Sequence, residues 1–109
     1  MLRCCLLFGI ILSACTSGSS PSGITAESLT CPPDSTLTYD NFGATFMADN
    51  CLSCHTTKEQ PHLTSVAAIR SHTKKIISEA VTSTSMPQDA SMSDDERALL
   101  GEWLTCGAP

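Results

Sequence analysis

Three stretches of the chain repeat apolar residues at helical spacing, and none alternates them at the two-residue period of a strand. In the first, Tyr39, Phe42, Gly43, Phe46 and Met47 fall at i, i+3, i+4, i+7 and i+8, one stripe of an α-helix. Gly43 within that stripe costs about 1 kcal/mol relative to Ala, which is tolerable where another helix must approach closely. In the second, Val66, Ile69, Ile76, Ile77, Ala80 and Val81 fit an amphipathic helix over roughly residues 65–81. The third, "SDDERALLGEWLTCGAP", is signalled at both ends. Ser93 is a natural N-cap, Glu96 three residues later completes a capping box, and Asp94, Asp95 and Glu96 suit the positive end of the helix dipole. Leu99, Leu100, Trp103 and Leu104 form its expected buried face, and Gly107 and Pro109 mark its stop. The pattern predicts an all-α domain.

The front end reads differently. "MLRCCLLFGIILSAC" has Arg3, an apolar block from Cys4 to Leu12, and small residues before Cys15. These are the parts of a secretory signal peptide, and the block is too short for a membrane span, which takes about 20 residues. Leu12-Ser13-Ala14-Cys15 resembles the lipobox of bacterial lipoproteins. That resemblance implies removal of residues 1–14, a diacylglyceryl group on Cys15, and an anchor at the cell envelope. The alternative is an ordinary signal peptide cut nearby, with Cys15 an incidental thiol. Thr16 is not Asp, so the inner-membrane retention signal of that family is missing, which leans towards the outer membrane. Residues 15–30, rich in Ser, Thr and Gly, read as a flexible tether, and the folded domain is expected over 31–109.

From Cys15 onward the chain has five Lys/Arg against eleven Asp/Glu, a net charge of −6. Such an acidic protein is not a nucleic-acid binder, and a basic docking face suits its partners better than an acidic one. With Cys4 and Cys5 lost and Cys15 lipidated, Cys31, Cys51, Cys54 and Cys106 remain. Two disulfides, a zinc site or a two-and-two split would each account for them.

Cys51-Leu52-Ser53-Cys54-His55 narrows the choice. Two thiols separated by two residues reach neighbouring haem vinyl groups from one helical turn, and the adjacent imidazole falls beneath the iron. A zinc finger needs two further close ligands, but His62 and His72 lie far apart and there is no second Cys-x-x-Cys. A thioredoxin-like dithiol follows a strand, and none precedes Cys51. Haem c is attached outside the bacterial inner membrane, so the export signal and the motif agree.

From Thr38 to about Cys106 the chain resembles a small monohaem class I cytochrome c domain. The shared pattern is a helix with Gly43-x-x-Phe46, the Cys51-x-x-Cys54-His55 motif, a middle helix, Met86-Pro87, and a last helix bearing Trp103. The resemblance implies that the first and last helices cross at Gly43, Phe46 and Trp103. It also implies one covalent haem held by Cys51 and Cys54, with His55 the proximal ligand and Met86 the distal one. Met86 lies closer to the motif than in many members. A crossing of the end helices would bring Cys31 towards Cys106, so a disulfide between them is expected.

Met47, Met92, His62 and His72 compete with Met86 for the distal position. Met47 reads as core and Met92 as a hydrophobic staple before Ser93. His62 suits a haem propionate, and His72, on the face of Ile69 and Ile76, is the second choice as ligand. His/Met ligation raises the reduction potential and leaves the iron no open position, so the expected function is single-electron transfer with redox protein partners rather than catalysis. Lys74 and Lys75 read as a solvated helix face that could also edge the haem. The alternatives are a haem lipoprotein that binds a small ligand, and a haem-less zinc or disulfide surface lipoprotein.

Overall fold

The computed structural model describes residues 20–88 and 90–109; the signal segment 1–14 and the lipidation candidate Cys15 lie outside the described residues. The first helix begins where the chain can cap it. Thr38 Oγ1 accepts from Asn41 N–H at 3.1 Å, and Asn41 Oδ1 accepts from Thr38 N–H at 2.7 Å. A π turn, Tyr39–Gly43, then runs into α1, Ala44–Asn50, and α2, Leu52–His55, follows with Cys51 between them. The predicted stripe holds: Gly43, Phe46 and Met47 are buried, and Tyr39 and Phe42 are half-buried.

The expected middle helix is broken. α3 covers Val66–Ser71, α4 covers Thr73–Ile76, and a π turn, Ile77–Val81, completes it. The break at His72 coincides with three side chains that turn back onto helix carbonyls. Ser71 Oγ and His72 Nδ1 both bond Ala68 C=O at 2.8 Å, and Thr73 Oγ1 donates to Arg70 C=O at 3.0 Å. Such local bonds compete with the helical ladder. Ile69, Ile76, Ala80 and Val81 still face the core.

α5, Asp94–Thr105, carries the expected capping box. Ser93 Oγ accepts from Glu96 N–H at 3.2 Å, and Glu96 Oε2 accepts from Ser93 N–H at 2.7 Å. It ends as the Gly-rich tail predicts: Gly107 has φ +92°, Gly107 N–H reaches Leu104 C=O, and Ala108 N–H reaches Trp103 C=O, which is a Schellman arrangement. Its buried face differs from expectation. Leu99 is 43% exposed, and Arg97, Leu100, Gly101, Trp103 and Leu104 face inward instead. The face is rotated because Arg97 satisfies buried carbonyls and so sits inside.

The first and last helices touch through Gly43 and Trp103. A Cβ on Gly43 would stand 2.3 Å from Trp103 Cζ2. The indole is fully buried, stacks with Tyr39 at 6.4 Å and meets Phe42 edge-on at 5.9 Å. Cys31 and Cys106 stand at disulfide distance, their Cα atoms 4.8 Å apart and 75 residues separated in sequence.

Among the described residues there is no β-strand, only an isolated bridge between Pro21 and Ser83. That bridge belongs to a strap. Residues 20–29, read by composition as part of the tether, lie against the body. Ser22 N–H donates to Thr82 C=O at 3.1 Å, Thr84 N–H donates to Ser20 C=O at 2.9 Å, and Gly23 N–H donates to Asp94 Oδ2 at 3.2 Å. Leu29 packs over Gly101. Packing therefore starts upstream of the boundary expected at Cys31, because Ile24 and Leu29 give the polar segment two apolar anchors. No helix among the described residues is long and apolar enough to cross a membrane.

Candidate functional site

The motif occupies one helical turn. Cys51 closes α1 and caps α2, and its carbonyl accepts from His55 N–H at 3.0 Å and from Cys54 N–H at 3.3 Å. The turn thus sends Cys51, Cys54 and His55 towards a common space. The Cys31–Cys106 pairing leaves Cys51 and Cys54 as thiols and uses the two cysteines that a four-cysteine zinc site would require. Burial pushes the Cys51 thiol up to about 11, because a thiolate there would lose its hydration.

Two cavities open beside this turn, of about 270 Å³ and 310 Å³. Cys51, His55, Gln60, Ala80 and Met86 line both, so they are two lobes of one cleft. Cys54, Asn50 and Met92 belong to the first lobe, while Leu63, Ile76, Lys75 and Glu79 belong to the second. A mostly apolar cleft with a few convergent polar groups is the usual form of a cofactor site.

His55 is held by a backbone carbonyl. Its Nδ1 lies 2.9 Å from Pro61 C=O, and a carbonyl only accepts, so Nδ1 carries a proton and Nε2 is the nitrogen left for another partner. Metal-ligating histidines are oriented in this way by a partner on the other ring nitrogen. The loop that supplies the carbonyl is fixed by the helix itself, since Leu63 N–H donates to His55 C=O at 2.8 Å.

Met86 shares both lobes with His55. Its N–H donates to Glu79 C=O at 2.9 Å, which closes the loop from the end of the middle helix. Of the four rival ligands, Met92 lines the first lobe with Met86, and the other three stand elsewhere. Met47 is 1% exposed in the core, His62 is exposed, and neither lines the cleft. His72 lines neither lobe, and its Nδ1 is engaged by its own helix. Lys75 reaches the second lobe, whereas Lys74 is only exposed.

Of two further contributors, Met92 competes as a ligand in the sequence and reads there as a staple, and Arg97 escapes a reading of the sequence. Met92 is buried in the cleft wall. A staple would have needed an apolar residue at position 97, which is Arg, and that mismatch was the available signal. Arg97 itself is buried at 4% exposure, and its Nη1 donates to Ala80 C=O at 2.7 Å, Ser83 C=O at 3.0 Å and Met86 C=O at 2.8 Å. Among the described residues no group of three or more His, Cys, Asp or Glu gathers where it could hold a metal ion between them. No family model, curated protein or solved structure matches the chain.

Proposed function

We propose that this chain is a membrane-anchored c-type cytochrome that carries single electrons between redox proteins, with the fold of a small class I cytochrome c domain. One observation carries the reading. The Cys-x-x-Cys-His turn opens onto an apolar cleft, its imidazole is oriented by Pro61 C=O, and Met86 stands in the wall of the same cleft. Dithiol chemistry or a disulfide would not need the oriented histidine or the methionine.

In this reading Cys51 and Cys54 hold the haem by thioether bonds, His55 Nε2 is the proximal ligand and Met86 Sδ the distal one. Bound there, the haem supplies a one-electron ferric/ferrous couple, whose potential His/Met ligation raises. The chain's own residues do the rest. Pro61 C=O keeps the imidazole aimed, while Leu63, Ile76, Ala80 and Met92 keep water from the cleft. With His55 and Met86 both on the iron, no open position would be left for a substrate, so the proposed role is electron transfer rather than catalysis. The net charge of −6 after Cys15 favours partners with a basic docking face. Export, lipidation at Cys15 and residence at the outer membrane follow from the signal segment and Thr16.

The experiment is to express the exported chain in a host competent for haem attachment, denature it, and record its spectrum and mass. A porphyrin chromophore should persist through denaturation. A colourless chain of apoprotein mass would overturn the proposal.

A further inference from the structure

The loop that carries Met86 has little to hold it by packing. Between the π turn that ends at Val81 and Pro87 it reads Thr82-Ser83-Thr84-Ser85-Met86, with Met86 its one apolar side chain. A ligand loop of that composition would sample many conformations unless its backbone were fixed from outside.

The fixing group is a buried cation. Arg97 projects inward from the first turns of α5, and its Nη1 faces three carbonyls, those of Ala80, Ser83 and Met86. These mark the start, middle and end of the loop, so one nitrogen spans it. Each of the three is a main-chain oxygen, and no carboxylate among the described residues bonds the guanidinium. Its Nε makes no hydrogen bond. Burying a charge without a counterion is a poor route to stability, and an apolar residue here would often serve the fold as well or better. A planar guanidinium, which only donates, does, however, fix backbone geometry.

We infer that Arg97 is a positioning residue for Met86, clamping the loop so that the thioether is presented to the iron; this rests on the haem reading above. Glu79 completes the clamp from the other side. Its C=O accepts from Met86 N–H at 2.9 Å and from Ser85 Oγ at 3.1 Å, and its Oε2 accepts from Ser85 Oγ at 2.6 Å. Met86 is therefore held at both its N–H and its C=O, and its side chain is the part left to reach the cleft.

The test uses haem-loaded protein and three single variants, Arg97→Lys, Arg97→Met and Met86→Ala, with the double variant Arg97→Lys/Met86→Ala. Two readouts report the ligand itself: the far-red sulfur-to-iron charge-transfer band of the ferric protein, and the affinity for added imidazole, which competes with Met86. Losing charge-assisted bonds to the loop should weaken the band and raise imidazole affinity at least about tenfold in Arg97→Met, and less in Arg97→Lys. In the Met86→Ala background the Arg97→Lys change should leave imidazole affinity unaltered, since no thioether remains to be positioned. A lower melting temperature with unchanged band and affinity would make Arg97 merely structural and overturn the inference. An equal gain of affinity in the Met86→Ala background would also overturn it. If Met86→Ala alone changes neither readout, Met86 is not the ligand and the inference falls with that assignment, whatever Arg97 does. Should both Arg97 variants fail to fold, reciprocity of coupling supplies the test. Exchange of the Arg97 Nη protons should quicken at least about tenfold in Met86→Ala, and equal protection in both proteins would refute the clamp.

Discussion

Replacing Gly43 by Ala sets two effects of known sign against each other. Gly43 lies at helical dihedrals, φ −60° and ψ −45°, so Ala fits the backbone and gains about 1 kcal/mol of helix propensity. The added Cβ would meet Trp103 at 2.3 Å from Cζ2, 2.5 Å from Cη2 and 2.8 Å from Cε2. Carbon atoms pack at roughly 3.5–4.0 Å, so the indole or the helix has to retreat by more than about 1 Å. Trp103 has nowhere to go: it is fully buried, packed on Tyr39 and Phe42, with Nε1 on Pro109 C=O at 3.4 Å. Overpacking of this kind costs about 1–3 kcal/mol, and rigid surroundings put it near the upper end. The net loss is then about 2 kcal/mol, which lowers the melting temperature of a domain this size by roughly 8–16 °C. Gly101→Ala is the internal control. Its Cβ would meet Leu29 Cδ2 at 2.7 Å, the end of a half-buried side chain that can yield, and the buried Val81 Cγ1 only at 3.0 Å, so Gly101→Ala should cost less. Thermal unfolding of haem-loaded protein, followed by far-ultraviolet circular dichroism, decides the matter. A Gly43→Ala protein as stable as the parent, or no worse than Gly101→Ala, would refute the claim that the two helices meet at this glycine.

Met86→Ala should abolish the far-red band of the ferric protein and open the iron to added ligands, and an unchanged spectrum would remove Met86 from the iron. Cys106→Ser should lower stability to denaturant by up to roughly 4–5 kcal/mol, the chain-entropy value for so long a loop; loss of less than about 1 kcal/mol would mean that the bond constrains little of the unfolded chain. The Cys51 thiol separates the haem reading from its haem-less rival. Its value is 9.0 unperturbed and about 11 in the folded chain, so a free thiol would leave stability intact below pH 9 and erode it as pH rises from 9 to 11. A thioether at Cys51 does not titrate, and thiolate absorbance appearing in the native protein over that window would argue against attachment. The Ser22 and Thr84 amides that tie the strap to the body should exchange slowly in native protein, and free exchange at both would return residues 20–29 to the tether.

Local chemistry was legible in the sequence, while of the long-range contacts only those implied by the resemblance, Gly43 against Trp103 and Cys31 beside Cys106, were. The Ser93–Glu96 capping box, the Tyr39-to-Met47 stripe and the Gly107 stop each depend on residues within two turns of one another, and each stands where the pattern put it. Leu99 was misplaced because a hydropathy pattern sends arginine to water. It has no means of seeing that Ala80, Ser83 and Met86 offer Arg97 three carbonyls from another element. The break at His72 was hidden for a related reason. Ile69 and Ile76 keep helical register across it, while the competing bonds of Ser71, His72 and Thr73 leave no mark on apolar periodicity. The strap escaped because composition averages over residues 15–30, and two apolar side chains in so polar a stretch do not move the average.

Two of those misses, Arg97 and the strap, meet in one place. The Arg97 side chain, the strap and the end of the middle helix all act on residues 79–86, the segment that delivers Met86 to the cleft. A chain with few aromatics has little apolar surface to spend on pinning a loop, and a Ser/Thr-rich loop offers little to pack against. Main-chain hydrogen bonds supply what packing cannot. Ser20 and Ser22 tie the loop from upstream, Glu79 ties Ser85 and Met86, and Arg97 crosses the whole segment. Each donor is directional, so together they fix where the loop lies and not merely that it is buried. A loop whose task was only to connect two helices would need none of this, since water would satisfy its carbonyls at no cost. Concentrating a buried cation and an upstream strap on eight residues is what a precisely placed side chain requires, and the residues of this segment that line both lobes beside His55 are Ala80, at the helix end, and Met86, in the loop.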